Sequence, residues 1–528
     1  MKNKLWLISL AGGLLGSLAW HDKVTGLVML AALVPFLYIF RETVKEKAPG
    51  SLVFLRVLPG FIIFNLLTMA WLRNASIAGA VYAVIANSFL MSAVFWLASV
   101  IYKRSSSFLG YTSLLTFWLI MEHLNSRLII LTPWLNLGNT LGNDIAFIQW
   151  YDITGVAGGT LWILLCNLSI LFIIAGLEEK RKFPGKQIIL LLFLFILPSG
   201  FSFLKYFKSD QPLAKSDILI VQPNIDPYSE KFSDYPFELQ LQKMLKMAVN
   251  DIAPGTDWVI LPETAIDDPF DEKDVYVNRY YLMIDSLLDK YEDLNLITGA
   301  TTMKEAQNYD SENHEGPIYE IYNSALHISQ DDGVSFYHKS KLVPGIEKKI
   351  RALPGFLEKK IIPDLGGTMT GYGIQDERTV FTHSEGVSRL APVICYESVY
   401  GDFITEYIRN SANLIVIITN DGWWVNTAGY RQHLVFARIR AIENRREVAR
   451  AANTGISCFI DQKGKIIKQL NWWEEGSLSH APGLNNKLTF YSTNGDFISR
   501  YVSTFGVFIL IITFIAAPLR RLRDPQKF

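Results

Sequence analysis

Three short segments of the chain carry residue types that perform acyl-group chemistry, and each follows or contains an apolar run. VILPETA (259–265) presents Glu263 where its apolar run ends. FYHKSKLVPGIE (336–347) supplies two lysines and a glutamate, and LAPVICYESVYGD (390–402) supplies Cys395. A carboxylate accepts the proton of a thiol, and an ammonium group stabilises both a thiolate and a tetrahedral oxyanion. Together these residue types meet the requirements of acyl transfer from an ester or amide through a thioester.

Cys395 stands where an apolar run changes into a helical pattern, with PVI before it and SVYGDF after it. A cysteine at such a turn lies near a helix N-terminus, whose partial positive charge favours the thiolate. The free N–H groups of that turn can also stabilise an oxyanion. A buried free cysteine is more often only a small apolar side chain, so the position alone leaves both interpretations open.

Sequence spacing does not establish which residues would serve as the base and the cation beside this cysteine. Glu263 after its apolar run can equally be a solvated surface residue, although Pro262 favours a fixed orientation. We predict a strand across Lys339 and Lys341, which would then share one face because side chains alternate in a strand. His433, in YRQHLVFARIRAIENRR, is the alternative type of base, but we expect it to cap or pack on a helix.

The composition indicates a membrane protein of more than one unit. A chain of 528 residues exceeds one ordinary core, and it is 50% hydrophobic but only 19% charged, below the roughly 25% of soluble domains. The formal net charge of zero gives no indication of nucleic-acid binding. The three cysteines show no CxxC spacing, so we expect no disulfide framework, no metal and no cofactor. We interpret Cys166 and Cys458 as packing residues.

The missing charge is explained by eight predicted membrane spans, seven before residue 205 and one near the C-terminus. Several of these runs approach the ~20 residues that cross the hydrocarbon core of a bilayer, and the first two are short. We expect the first to be an uncleaved anchor because the segment after it is a poor signal-peptidase site. The predicted spans are 5–20, 24–40, 51–72, 80–102, 108–124, 159–177, 187–204 and 501–519.

Basic residues predict the orientation of these spans. With the N-terminus in the cytoplasm, fifteen Lys and Arg residues fall in inside segments and three, Lys23, Arg73 and Arg127, in short outside loops. Both termini are then cytoplasmic. The predicted domains are a seven-span region (1–204), an external domain (205–495) and a final span with its tail (496–528).

Two charged residues, Arg56 and Glu122, fall inside predicted spans. Such residues pair within the protein or mark a path for a polar substrate group. We favour pairing with neighbouring helices. The segment 125–158 is predicted to be an outside loop.

The external region alternates strand-like and helical patterns, which predicts sheets covered by helices on their outer faces. The segment 303–320 is predicted to be a solvated loop. Predicted strands are 216–225, 257–264, 294–302, 321–329, 390–397, 413–421 and 454–461. Predicted helices are 236–252, 272–292, 399–410 and 428–447.

The three chemical segments resemble those of a known superfamily. Glu263 in LPET, Lys339 in KSKLVP and Cys395 in VICYES look like the Glu-Lys-Cys triad of the nitrilase, or carbon–nitrogen hydrolase, superfamily. This resemblance implies an αββα sandwich for about 215–480. The fold class we expect is therefore an α-helical transmembrane bundle of eight spans plus an external α/β nitrilase-like domain.

Further segments are similar to those of one membrane-bound branch, the apolipoprotein N-acyltransferases. They are VQPNI (221–225), TNDGWW (419–424) and HLVFARIRAIENRREVARAANTG (433–455). The layout of that branch, with seven spans, an external domain and a final span, is the one that hydropathy and charge predict here.

Carried over by motif, the resemblance implies that Glu263 is the general base, Lys339 the oxyanion-stabilising cation and Cys395 the nucleophile. The lysine of the family stands three residues before Leu-Val-Pro. Leu342 therefore selects Lys339 over Lys341.

The resemblance also implies a set of supporting residues. Tyr396 and Glu397 follow the cysteine, Glu347 lies eight residues after the lysine, and Trp423 corresponds to an aromatic residue at the substrate mouth. Three positions depart from the family pattern. The segment LVPGIE replaces Leu-Val-Pro-Phe-Gly-Glu, Phe232 replaces a tryptophan, and a Trp-Trp pair replaces Trp-Phe.

The implied function is the last step of bacterial lipoprotein maturation. An acyl chain, expected to be the sn-1 chain of phosphatidylethanolamine, moves to the cysteine and then to the N-terminal amine of a diacylglyceryl-cysteine apolipoprotein. The expected location is the bacterial inner membrane, with the catalytic domain on the periplasmic or outer face. The alternatives are a membrane-tethered amidase or other N-acyltransferase of the superfamily, and a transporter or structural membrane protein whose outer domain only binds.

Overall fold

The computed structural model of the protein describes residues 2–128, 131–179, 183–208, 213–231, 235–291, 293–306, 319–344, 347 and 371–516. The prediction for Phe232 and most of the predicted loop 303–320 lie outside the described residues. The chain divides into two compact units. The first unit comprises Met1–Arg73, Ile77–Lys208 and Asn494–Phe528, and the second comprises Asn74–Ser76 and Ser209–Thr493.

The first unit is built of helices, as its long apolar runs predict. The α-helices are Lys2–Leu18, Met29–Ala32, Val34–Lys45, Gly50–Met69, Ile77–Arg104, Ser107–Arg127, Tyr151–Glu178, Gly185–Phe207 and Phe497–Ile511. Each of the eight predicted spans falls on one or more of these helices. The sequence pattern therefore located the spans well, although their ends differ by several residues.

Six helical segments of the described chain are long and apolar enough to cross a membrane: Gly26–Lys45, Gly50–Asn74, Ile77–Arg104, Tyr151–Glu178, Gly185–Phe207 and Phe497–Ile515. The apolar helix Lys4–Leu18 is shorter. Ser107–Arg127 has 21 residues but is not among the six. The count of eight spans thus agrees only roughly with what length and composition support.

The predicted outside loop 125–158 is partly wrong. It contains three short 3₁₀ turns, Pro133–Leu135, Leu137–Asn143 and Ile145–Phe147, and the next helix already begins at Tyr151. Gly155 interrupts that helix with φ 61° and ψ −167°, a conformation open to glycine. This break explains why the regular apolar pattern starts only at 159.

The two charged residues of the predicted spans are paired within the first unit. Arg56 donates hydrogen bonds to Thr43 Oγ1 at 2.8 Å and to Glu46 Oε2 at 2.9 Å. Glu122 accepts one from Trp118 Nε1 at 3.0 Å, and from a backbone N–H and a hydroxyl at 2.8 and 2.7 Å. These contacts agree with the interpretation that neighbouring helices satisfy both residues.

The second unit contains two large sheets and one small one. Its strands are β1 (Ala214–Lys215), β2 (Ile218–Gln222), β3 (Trp258–Ile260), β4 (Ile266–Asp271), β5 (Asn295–Glu305), β6 (Tyr319–Ser329), β7 (Gly333–His338), β8 (Phe381–Thr382), β9 (Arg389–Ile394), β10 (Leu414–Thr419), β11 (Val448–Ala452), β12 (Cys458–Ile460), β13 (Ile466–Gln469), β14 (Gly476–His480) and β15 (Gly483–Leu484). The seven-stranded sheet has the order β14-β2-β3-β5-β6-β7, with β4 beside β5, and the six-stranded sheet has the order β13-β12-β11-β10-β9-β8.

The two large sheets face each other, and helices cover them. One buried core joins Ile218, Ile260 and Ile297 of the first sheet to residues of β9 and β10 in the second. Helices Phe237–Asp251 and Arg279–Leu288 pack on the seven-stranded sheet. Helices Gly401–Arg409 and Ala428–Asn444 pack on the six-stranded sheet. The expected αββα sandwich is confirmed.

Parallel strands at the centre of each sheet set the position of the functional residues. β2, β3 and β5 are parallel neighbours in one sheet, and β9, β10 and β11 in the other. β2, β9 and β10 are nearly continuous apolar runs because both faces of such strands are buried. The carboxyl ends of the parallel strands lie at one end of each sheet, where Glu263 follows β3 and Cys395 follows β9.

Several local predictions are wrong. β7 ends at His338, so Lys339 and Lys341 do not share a strand face. The helix predicted for 272–292 is instead a 3₁₀ turn, Glu272–Val277, followed by Arg279–Leu288, because the Asn278 side chain caps the second helix. The sequence patterns also missed β1, β4, β8, β11 and β13–β15. Most of these strands are short or lie at sheet edges, where the apolar alternation is weak.

Candidate active site

Cys395 lies at a sharp turn after the central strand β9. It is the first residue of a 3₁₀ helix, Cys395–Val399, which leads into helix Gly401–Arg409. Its φ of 48° places it in the left-handed region, which is strained for any residue other than glycine. The side chain is therefore held at the top of the strand in one orientation. It is 7% exposed.

Glu263 lies opposite this turn, three residues after β3. Its Oε1 accepts hydrogen bonds from Lys339 Nζ and from Asn323 Nδ2, both at 2.9 Å. Its Oε2 accepts one from the backbone N–H of Asn420 at 3.1 Å, and the carboxylate lies beside the Cys395 thiol. The carboxylate thus meets donors from both sheets, and the solvated alternative for Glu263 is wrong.

Lys339 is the lysine that enters the site. It is 1% exposed, and its Nζ donates to Glu263 and to Glu347 Oε1, the latter at 2.7 Å. Glu347 also accepts the Val343 N–H at 2.8 Å, which fixes the turn after β7. Lys341 instead lies over the rings of Tyr400 and Phe403, at 5.3 and 5.7 Å from Nζ to the centroids.

The charges of this cluster fix its protonation state. Burial by itself raises the pKa of Glu263, but the adjacent Lys339 ammonium and hydrogen bonds from Lys339 and Asn323 outweigh it, so that pKa is lowered from the usual 4.5. Burial would lower the pKa of Lys339, yet Glu263 and Glu347 hold it well above 10.5. The Glu263 carboxylate is therefore ionised and Lys339 is cationic at neutral pH.

The thiol behaves differently from the expectation for a helix N-terminus. Burial and the Glu263 carboxylate raise the pKa of Cys395 well above 9.0, and Lys339 only partly offsets them. The resting residue is a neutral thiol beside an ionised carboxylate. Formation of a thiolate at this position requires a neighbouring base, and Glu263 is the ionised carboxylate beside the thiol.

Glu397 ties the cysteine turn to the lysine turn. Its Oε2 accepts the Ile394 N–H at 2.8 Å, and its Oε1 accepts the Ser340 N–H and the Tyr337 hydroxyl, both at 2.6 Å. Ser340 follows Lys339 directly, so one buried carboxylate holds both segments. Burial raises the pKa of Glu397 above its usual value.

Comparison with known proteins identifies the family. The family described as carbon–nitrogen hydrolase matches residues 220–482, and the apolipoprotein N-acyltransferase N-terminal domain matches residues 12–169. The chain belongs to the apolipoprotein N-acyltransferase family. These two regions are the ones that form the sandwich and most of the helical unit.

Curated relatives carry the same name. The apolipoprotein N-acyltransferase of Chlorobaculum tepidum is 27% identical over 454 residues, which cover 83% of each chain. That of Geobacter metallireducens is 27% identical over 397 residues, or 73% of this chain and 71% of the relative. That of Rickettsia prowazekii is 28% identical over 404 residues, or 75% of each. The similarity therefore extends over both units.

The other residues implied by the family resemblance lie around this site in different ways. Tyr396 follows Cys395 and is buried, and its hydroxyl accepts a hydrogen bond from Tyr400 at 3.2 Å. Trp423 lies in the 3₁₀ helix after β10 and packs edge-on against Tyr228, with ring centroids 5.5 Å apart. Trp423 thus belongs to an aromatic pair beside the strand end.

Sequence reasoning missed several groups that complete the site. Asn323, on β6, donates to Glu263 and also to Glu347 at 3.2 Å. The Asn420 N–H comes from the end of β10 at TND, which lies within the predicted strand 413–421 but was assigned no role in the site. Tyr337 and Ser340 lie on either side of Lys339 in the sequence. The Tyr337 hydroxyl and the Ser340 N–H both donate to Glu397. Polar residues at strand ends are the signal that would have found Asn420.

Among the described residues, no group of three or more His, Cys, Asp and Glu side chains is placed to hold a metal ion. The prediction that the protein needs neither metal nor cofactor stays a prediction. His433 is fully buried on helix Ala428–Asn444, as a packing residue would be.

Proposed function

We propose that this N-acyltransferase transfers an acyl chain from a phospholipid through a thioester on Cys395 to the N-terminal amine of a diacylglyceryl-cysteine apolipoprotein. Family membership supports the overall reaction. One observation supports the triad: a neutral buried thiol lies beside the ionised carboxylate of Glu263, which pairs with Lys339 at 2.9 Å. The expected donor is the sn-1 ester of phosphatidylethanolamine.

In the first step Glu263 takes the thiol proton and Cys395 Sγ attacks the ester carbonyl carbon. The C–O bond of the ester breaks, the leaving alkoxide takes the proton from Glu263, and a lysophospholipid departs. Lys339 Nζ stabilises the charge on the tetrahedral oxygen. The cysteine is left as a thioester.

In the second step the α-amine of the apolipoprotein attacks the thioester carbonyl. Glu263 takes a proton from the amine, the C–S bond breaks, and the sulfur recovers that proton as the thiol. Water is the competing acceptor, so the burial of Cys395 favours transfer over hydrolysis. The products are an amide-linked acyl chain and the resting enzyme.

We propose supporting roles for the four further residues. Glu347 and Glu397 hold Lys339 and the cysteine turn, through the hydrogen bonds described above. Tyr396 supplies a backbone N–H directly after the nucleophile, where an oxyanion donor is needed. Trp423 contributes an aromatic surface at the mouth, next to Tyr228.

We also propose the membrane arrangement predicted from charge. The protein is a multi-pass inner-membrane protein, with 1–204 as the first spanning domain, 205–495 as the periplasmic catalytic domain and 496–528 as the final span and cytoplasmic tail. The excess of basic residues in the inside segments supports this orientation. Both substrates are then lipids of the outer leaflet.

The test uses purified full-length protein and phosphatidylethanolamine that carries a labelled sn-1 chain. Label that hydroxylamine releases should appear on the wild type and on Cys458→Ser, and not on Cys395→Ser. A diacylated lipopeptide should then remove the label and become labelled itself. Label that stays on the enzyme would contradict the acyltransferase function and favour the amidase alternative, whereas no label on wild type would contradict the thioester.

A further inference from the structure

A second buried polar cluster lies beneath the nucleophile, and the mechanism above does not use it. It consists of His433 on helix Ala428–Asn444, Asp421 in the 3₁₀ helix after β10, and Arg450 on β11, each at most 1% exposed. His433 Nδ1 lies 2.9 Å from Asp421 Oδ1. Arg450 Nη2 donates to Asp421 Oδ2 at 2.5 Å and lies 3.1 Å from the same imidazole nitrogen.

The other imidazole nitrogen reaches the backbone of the nucleophile. His433 Nε2 lies 3.1 Å from the carbonyl oxygen of Cys395 and 2.9 Å from Ser398 Oγ. Ser398 Oγ in turn donates to that same carbonyl at 2.8 Å. A carbonyl oxygen only accepts, so Nε2 must carry a proton in its contact with Cys395. The imidazole therefore donates to the Cys395 carbonyl oxygen, and it also contacts Ser398, which donates to the same oxygen.

That oxygen belongs to the residue whose backbone is strained. Cys395 has φ 48°, and such a conformation persists only where the surroundings hold it on several sides. Glu397 holds the turn through the N–H of Ile394, before the cysteine. His433 and Ser398 hold it through the carbonyl, after the cysteine. Strand end and helix are thus fixed on both sides of the nucleophile.

We propose that His433 is a positioning residue that holds the Cys395 turn, with Asp421 and Arg450 orienting its ring. The inference rests on the proposed function in that the step it serves is the acylation of Cys395. The Thr419 hydroxyl donates to Asp421 Oδ1 at 2.9 Å, which ties Asp421 to the end of β10. The cluster therefore joins the end of β10 to the backbone of the nucleophile.

A buried histidine elsewhere in the same unit provides the comparison. His327 lies on β6, 2% exposed, with Nε2 2.6 Å from Asn295 Oδ1 and its ring packed beside Trp258. Its described contacts do not include Cys395 or Glu263. Replacement of His327 measures what the loss of a buried histidine does to the fold alone.

The test compares His433→Gln, His433→Asn and His433→Ala with His327→Gln in the full-length protein. The amide nitrogen of glutamine can occupy the place of Nε2, whereas that of asparagine reaches only the place of Nδ1. We measure the rate of Cys395 alkylation by iodoacetamide, read by mass spectrometry of its peptide. We also measure kcat and KM for acyl-enzyme formation from labelled phosphatidylethanolamine, and the melting temperature of each variant.

We expect both rates to depend on whether the side chain at position 433 can donate a hydrogen bond to the Cys395 carbonyl. Alanine and asparagine variants should lose about tenfold to a hundredfold in both rates, with little change in KM, and His433→Gln should stay within about threefold of wild type. His327→Gln should keep both rates even where its melting temperature falls. Equal losses in the glutamine and asparagine variants, or a wild-type rate in His433→Ala, would overturn the proposal.

The alkylation assay needs no phospholipid, so it separates this inference from the proposed function. If wild type forms no thioester but the alkylation rates follow the expected order, the function fails and the positioning role stands. If wild type forms the thioester but the His433 variants are alkylated at the wild-type rate, the proposed function stands and the positioning role fails. Should the His433 variants fail to fold, Ser398→Ala removes the second donor to the same carbonyl. It should slow alkylation about threefold, and an unchanged rate would contradict the proposal.

Discussion

The end of β9 and the start of β12 each place a buried free cysteine at the same six-stranded sheet, yet the surroundings of the two cysteines differ. Cys395 and Cys458 are both buried, and burial raises the pKa of both thiols, that of Cys458 to about 12. Cys458 even pairs across the ladder with Arg450. Burial and a nearby cation are therefore not sufficient to make a nucleophile.

The difference lies in backbone geometry and in the facing sheet. Cys458 is an ordinary strand residue, whereas Cys395 sits at a left-handed turn where the strand has ended. Glu263 and Lys339 reach Cys395 from the opposite sheet. A base that can take the thiol proton is what distinguishes the two regions.

The largest expected effect comes from the two cysteines themselves. Cys395→Ser should abolish acyl-enzyme formation, because a serine hydroxyl is a much poorer nucleophile in a site built for sulfur. Cys458→Ser should retain activity within about threefold, since only packing changes. Steady-state transfer to a diacylated lipopeptide measures both. Wild-type activity in Cys395→Ser would show that Cys395 and Cys458 do not differ in function.

The next largest effect concerns the cation. Lys339→Ala should abolish detectable labelling, a fall of about a hundredfold or more, because it removes the oxyanion donor and leaves the carboxylates of Glu263 and Glu347 without their cation. Lys341→Ala is the matched control and should label normally, since its ammonium lies over aromatic rings. The opposite pattern would show that the lysines are assigned wrongly.

A smaller effect is expected at the residue that joins the two turns. Glu397→Gln keeps the size of the side chain but replaces one acceptor oxygen by an NH₂ group. At least one of the donors Ile394 N–H, Ser340 N–H and Tyr337 hydroxyl then loses its acceptor, so acyl-enzyme formation should fall about tenfold. Glu406→Gln, on helix Gly401–Arg409 with a half-exposed side chain paired to Arg378, is the control. Pre-steady-state labelling rates would distinguish them. Equal rates in the two variants would show that the turns hold without Glu397.

The smallest change is expected with pH. Glu263, with its pKa below 4.5, is ionised above that pH, and Lys339, with its pKa above 10.5, is protonated below it. The ion pair is therefore intact between these values, and activity is lost as pH falls through the pKa of Glu263 or rises through that of Lys339. Acyl-enzyme formation should be level between about pH 6 and 9. A tenfold rise per pH unit would instead indicate a cysteine that reacts without its base.

Much of the architecture was predictable because it depends on local patterns. The apolar runs located the helices of the first unit, and the runs before Glu263 and Cys395 located the strands β3 and β9, although the predicted ends at 264 and 397 lie beyond the observed ends at Ile260 and Ile394. The lysine segment shows where local patterns stop being sufficient. The predicted strand was extended across Lys339 and Lys341, because no local sequence signal marks the end of β7 at His338.

Residue type and spacing in the sequence determined the membrane helices, the alternating strands and helices, and the three residue types of a thioester mechanism. The tertiary structure decided which lysine meets Glu263, from 76 positions away along the chain. It also decided that Cys395 rests as a thiol and that His433 reaches its carbonyl. The physical reason is that a pKa and a hydrogen bond depend on burial and on neighbours brought in by two facing sheets, and these are not neighbours in the sequence.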